Sequence, residues 1–403
     1  MSTTAPTTES PSPTLDALLA WLCQQRAAGS VHYDAQQQLW QVFGYADVQR
    51  VLNDPARFSS DFRALLPSQP DFELFAKGNF VRMDPPKHRQ LRSLVTQAFT
   101  PHMVAGLAPR IRAVTTALLD ELGGAARFDV VDRLAYPLPV IVITELLGIP
   151  AADRMIFRQW ADALFSRNTQ TTGIRVDAAT LEAFAPTIRE MNRYLLAYIQ
   201  HRRTHPADDL TSMLVGAEID GERLEDQEIV GFVGLLLLAG HITTTALLGI
   251  AILALDEHPA AAAALRADAT HLATAIEEVL RYRPPFPRLA RRTATEVELG
   301  GYVIAANQII LLWIASANRD ATQFPRPDRF DISRVPNQHL TFGHGIHFCL
   351  GAPLARLEAK LALGLLLERY REVAVARDEA VEFYHPWTMI SAKRLPVDVV
   401  AAA

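Results

Sequence analysis

The chain has 403 residues, 49% hydrophobic and 21% charged, an ordinary globular composition with enough apolar mass for a large core. A net charge of −5 leaves no overall basic field to attract nucleic acid. Two cysteines, Cys23 and Cys349, exclude a disulfide-built fold and fit a reducing compartment, so a soluble cytoplasmic protein is expected.

Residues 1–13 are polar and proline-rich, and read as a disordered tail rather than a signal peptide. Residues 14–26 place Leu15, Leu18, Leu19 and Leu22 at a helical period. Residues 31–43 read as two short strands, and 45–52 as a short helix stopped at Asn53-Asp54-Pro55. Residues 59–81 carry prolines and isolated aromatics without a period, which predicts a long loop of the functional kind. Helices are expected at 85–99, 103–122, 137–147, 151–165 and 181–201, with a polar connection at 166–176.

Residues 229–255 are long and apolar enough to span a bilayer. Yet His241, Thr243, Thr244 and Thr245 sit at the middle, acids flank both ends, and no adjacent Lys or Arg marks a cytoplasmic side. A helix apolar all round belongs at the centre of a large domain. Helices near 259–267 and 272–283, strands at 297–304 and 308–314, an irregular stretch at 318–338 and a helix ending near Tyr370 follow. With no βαβ alternation, repeat or linker, a single mainly α, helix-rich domain with small β-sheets is expected over 14–403.

The stretch 341–351, TFGHGIHFCLG, organises this domain. Its glycines permit a tight loop, and a helix-like run with Pro353 in its first turn begins directly after Cys349. Free amides and the positive end of the helix dipole then face the sulfur, a setting expected to lower the thiol pKa. A buried structural cysteine, a nucleophile and an axial metal ligand all remain open on these grounds. The pattern of Phe342, Gly345, His347, Cys349 and Gly351 resembles the cysteine-ligand loop of the cytochrome P450 family, soluble bacterial type. The resemblance runs from about residue 15 to 398.

It implies haem b between the long central helix and the cysteine-loop helix, with Cys349 as the thiolate ligand of iron. Glu278 and Arg281 resemble the family's Glu-x-x-Arg pair, which locks the core with a third partner for which Arg329 is the candidate. The resemblance assigns His88, Arg92, Arg291 and His347 to the two haem propionates, with Arg292 one position from Arg291. Ala239-Gly240-His241-Ile242-Thr243 resembles the oxygen-binding segment. Small residues at 239 and 240 would admit dioxygen, and Thr243, four residues after Ala239, would bond its carbonyl and bend the helix. Family members carry an acid before this threonine; Ile242 cannot relay protons.

The expected activity is hydroxylation or epoxidation of a hydrophobic organic substrate with O2, in the manner of secondary-metabolite enzymes acting on polyketides or macrolides. Phe80, Leu235, Leu236, Leu289 and Met389 are expected to line the substrate pocket, with further contacts near 165–168. Electrons would come from a separate ferredoxin or flavodoxin-type donor and its reductase, docking on Arg89, Arg356 and Lys360 of a monomer. The alternatives are a peroxide-driven or non-oxygenating haem-thiolate enzyme, and a haem-based ligand binder without turnover.

Overall fold

The computed structural model describes residues 14–65, 67–96, 99–165, 178–219 and 221–402. The expected tail at 1–13 and polar connection at 166–176 lie outside them. The apolar run forms one helix, Asp226–Glu257. A capping box starts it, with the Glu225 amide donating to Glu228 Oε2 at 3.1 Å. Pro259, after the C-cap His258, cannot continue it. This helix passes the length and apolarity test for a membrane span, but most of it is buried in protein. Helices Pro70–Ala76, Pro137–Leu146, Ala178–Thr204, Leu272–Tyr282 and Ala352–Arg369 pack around it. Each buried Leu, Ile, Val or Phe contributes about 1.5–3 kcal/mol, so its side chains tie these five elements into one core.

Residues 59–81 are not one loop. They contain the helix Pro70–Ala76, capped by Gln69 Oε1 on the Phe72 amide at 3.0 Å, and a 3₁₀ turn at Phe80–Arg82. Two turns are too few for a period to be read. This segment lies backbone to backbone on the central helix: a Cβ on Gly78 would collide with the Glu228 carbonyl, and one on Gly231 with the Phe75 carbonyl. The expected helix at 103–122 is two, Pro101–Gly106 and Ala108–Asp120. Pro109 has no amide to continue the first and sits in the first turn of the second.

The main sheet has strand order Val31–Asp34, Leu39–Val42, Ile309–Leu312, Leu289–Thr293, Phe58–Ser59. Only the Leu39–Val42 and Ile309–Leu312 pair is parallel. Successive side chains on a strand point to opposite faces, which separates Arg291 from Arg292. The expected strand at 297–304 is a hairpin, Val297–Leu299 with Tyr302–Ile304, turning at Gly300 and Gly301, both at positive φ.

Candidate active site

In the cysteine loop Gly343 and Gly345 have φ of +71° and +68°, angles that disfavour any residue with a Cβ. A Cβ on Gly345 would also lie 2.8 Å from the Leu52 carbonyl. The Cys349 amide closes the loop on Phe342 O at 2.8 Å. Helix Ala352–Arg369 starts immediately beyond, and the amides of Gly351 and Ala352 donate to the sulfur. Gly351 itself has φ −80° and open space at its Cβ position, so neither backbone nor packing demands glycine there.

Cys349 is accessible, although protein surrounds the loop. The expected depression of its pKa does not appear. Burial pushes the thiol up, and the two amides with Arg92 and Arg356 offset this only in part. A cation on the sulfur is what would hold it as thiolate.

The central helix has its own accessible point, Ala239, between half-buried Leu238 and Gly240. Thr243 Oγ1 donates to the Ala239 carbonyl at 2.9 Å, and Thr244 Oγ1 to the Gly240 carbonyl at 3.2 Å. These two carbonyls are thus drawn toward side chains as well as the helix ladder. A Cβ on Gly240 would sit 2.9 Å from Ile143 Cγ1, so glycine there also serves close packing of helix Pro137–Leu146. Ile242 packs on Ala161 and Met389. His241, given no role of its own from the sequence, is fully buried; its Nδ1 contacts the Leu237 carbonyl at 2.7 Å, Nε2 has no partner, and burial pushes its pKa down to about 4.

His88, on helix Lys87–Thr96, and His347 bring their rings to 4.3 Å. Nε2 of His88 and both nitrogens of His347 are buried without a partner. Arg92 donates to the Phe348 carbonyl at 2.5 Å, and Arg291 to the Ala290 carbonyl at 2.7 Å. Arg292 faces away, bonding the Asp61 carbonyl and Asn307, which places Arg291 with the histidines. Burial and these cations push His88 down to about 4 and His347 to about 3. Two guanidiniums and two neutral imidazoles with unsatisfied nitrogens fit a group that carries two carboxylates, as haem does. Among the described residues no cluster of three His, Cys, Asp or Glu could hold a metal ion. One thiol therefore suits a metal that arrives in its own macrocycle.

These pKa values make the haem-free chain acid-sensitive. Below the ordinary histidine value, near 6.5, unfolded His88, His241 and His347 bind protons that the folded chain refuses until about pH 4 or 3. Glu358, buried and held up at about 8, opposes this with one proton of the other sign. Stability of the apoprotein is expected to fall as pH drops from 7.5 to 5.5, and haem to flatten that slope. Thermal melts of both forms at the two values check it.

Glu278 and Arg281 are both fully buried and joined by two bonds of 2.8 Å. The third side chain is Arg334, at 3.1 Å from Glu278 Oε2; Arg329, favoured from the sequence, contributes only its carbonyl, to Arg281 and Arg334. Neighbouring Glu277 binds Arg356 through both oxygens at 2.7 Å and contacts His339, and these partners hold its carboxyl down at about 2 despite burial. Arg356 also lies 4.5 Å over the Phe342 ring. Its charge is shared with Glu277 inside the cysteine-loop framework, while its side chain stays 37% exposed. Arg89 and Lys360 are exposed.

Of the expected pocket residues, Phe80 is buried against Phe232 and His88, and Met389 against Ile242. Leu236 is nearly buried, while Leu235 and Leu289 are half-exposed. The contact region at 165–168 falls on undescribed side chains. Arg82 was not anticipated; nothing in its local sequence separates it from a surface cation.

The family model for cytochrome P450 matches residues 31–400. The chain is 44% identical to the cyclomarin C epoxidase CymV of Salinispora arenicola, over 89% of this chain and 90% of that one. It is 44% identical to the erythromycin C-12 hydroxylase of Saccharopolyspora erythraea, covering 94% of each. A solved structure of a mutant of P450 EryK with erythromycin B superposes with TM-score 0.87 at 43% identity, over 95% of this chain and 96% of that one.

Proposed function

The chain belongs to the cytochrome P450 family as a haem-thiolate monooxygenase, and from that premise we propose that it hydroxylates or epoxidises an apolar secondary metabolite, such as a polyketide or macrolide. The proposal is supported by relatives named as a cyclomarin C epoxidase and an erythromycin C-12 hydroxylase. The observation that carries the site assignment is Cys349, accessible at the head of helix Ala352–Arg369 with two backbone amides on its sulfur.

In this reading Cys349 binds the iron, and His88, Arg92, Arg291 and His347 bind the two propionates. When bound, the haem supplies oxygen activation, with the thiolate pushing electron density to favour O–O cleavage. Thr243 holds a proton donor against the Ala239 carbonyl and passes protons through ordered water, because Ile242 offers none. Residues 14–403 act as one domain in the cytoplasm. A separate ferredoxin or flavodoxin-type protein supplies electrons, docking near Arg89 and Lys360.

Turnover with O2, a ferredoxin and its reductase, compared with peroxide alone, tests the reaction class. Oxygenated product only with peroxide would overturn it. Thr243→Ala is expected to cut product per electron by roughly tenfold or more and to raise hydrogen peroxide release. Unchanged coupling would remove Thr243 from proton handling.

A further inference from the structure

Resting on the monooxygenase reading, we propose that Arg82 selects the substrate: the molecule taken here has an apolar body and a carboxylate, which the Arg82 guanidinium holds apart from the porphyrin's own acids.

Arg82 ends the 3₁₀ turn Phe80–Arg82, closed by its amide on the Asn79 carbonyl at 3.0 Å. The turn has a fixed seat. Gly78 lies against the central-helix backbone, and the Phe80 ring packs 5.3 Å from Phe232. Two residues along a threefold turn point about 240° apart, so with Phe80 buried, Arg82 leaves on another face. Its side chain is accessible. Yet burial lowers its pKa, with no charged group sharing in the shift. Arg82 therefore projects into a recess walled by protein, not onto the outer surface.

Among the described residues Arg82 has no side-chain hydrogen bond or ion pair. The nearest acid in sequence, Asp84, has its oxygens taken by the Ser59 hydroxyl and the Ser60 amide. Among the described residues no hydrogen bond joins Arg82 to His88, Arg92, Arg291 or His347. The cations acting on His347 are Arg291 and Arg92, and the one acting on His88 is Arg92. A desolvated guanidinium without a counter-charge is unfavourable, and its planar fork is matched by a carboxylate. The site thus offers one further cation, on the turn that Phe80 seats against Phe232 of the central helix.

The test uses the haem-loaded protein with straight-chain fatty acids of eight to sixteen carbons, each paired with its methyl ester. Binding is read by calorimetry and by the spin-state shift of the haem spectrum. The wild type is expected to bind the best acid at least about tenfold more tightly than its ester, a preference that weakens with salt. Arg82→Ala and Arg82→Gln are expected to abolish the preference while leaving ester binding alone; Arg82→Lys keeps part of it. The proposal is wrong if no acid binds more tightly than its ester, or if the variants keep the ratio. It is equally wrong if they lose haem faster to apomyoglobin with the ratio unmoved, since Arg82 would then hold a porphyrin acid. A thiolate-type carbon monoxide spectrum throughout separates any of these failures from failure of the monooxygenase reading.

Discussion

Replacing Cys349 with serine is expected to leave a folded protein that has lost the thiolate-type carbon monoxide spectrum and its monooxygenase turnover. The loop closes through the backbone, from the Cys349 amide to the Phe342 carbonyl, and its glycines sit elsewhere, so the substitution spares the scaffold. What disappears is the one sulfur presented to the metal and the electron density it supplies. A loss of at least about a thousandfold, or roughly 4 kcal/mol in the barrier, is anticipated in product formation with O2 and an electron donor. Far-ultraviolet dichroism checks the fold, and the reduced carbon monoxide difference spectrum checks the ligand. An unchanged spectrum would mean that the iron is bound elsewhere.

Glu278→Gln should be the most damaging single change to stability. The carboxylate faces Arg281 and Arg334 and also accepts from the Asp331 amide and the Asn337 side chain, all in a site closed to water. Glutamine keeps the shape but leaves two guanidiniums without their counter-charge. Breaking a buried pair in this way costs about 3–5 kcal/mol. Urea denaturation of the haem-loaded protein measures it. A loss below about 1 kcal/mol would place this knot with ordinary surface pairs.

The parts legible in the sequence were those whose chemistry is written locally. The cysteine loop declares itself within eleven positions, and the central helix by an apolar run interrupted only where Thr243 and its neighbours lie. Helical spacing puts Glu278 and Arg281 on one face, and the family resemblance marked the pair as part of the core rather than the surface. Arg334 could not be read in the same way, because it reaches Glu278 from an irregular segment far along the chain, where Arg329 looks equivalent. The packing duty of Gly240 could not be read for a related reason: only the fold brings Ile143 against it. The thiol expectation failed on magnitude. The backbone amides were foreseen as favouring thiolate, and Arg92 and Arg356 add to them, but burial outweighs all four. Pro70–Ala76 escaped because seven residues show no period, and Arg82 because its significance is a matter of what surrounds it.

The interlocked glycines at 78 and 231 carry a lesson for redesign. They weld the segment around Pro70–Ala76 to the spine of the molecule, so that segment and spine travel as a single body. Breathing that admits a bulky guest has to be borne by other parts of the enclosure. Libraries meant to broaden specificity should hold both positions constant and diversify the side chains displayed just beyond the weld, where new chemistry is gained without loosening the frame.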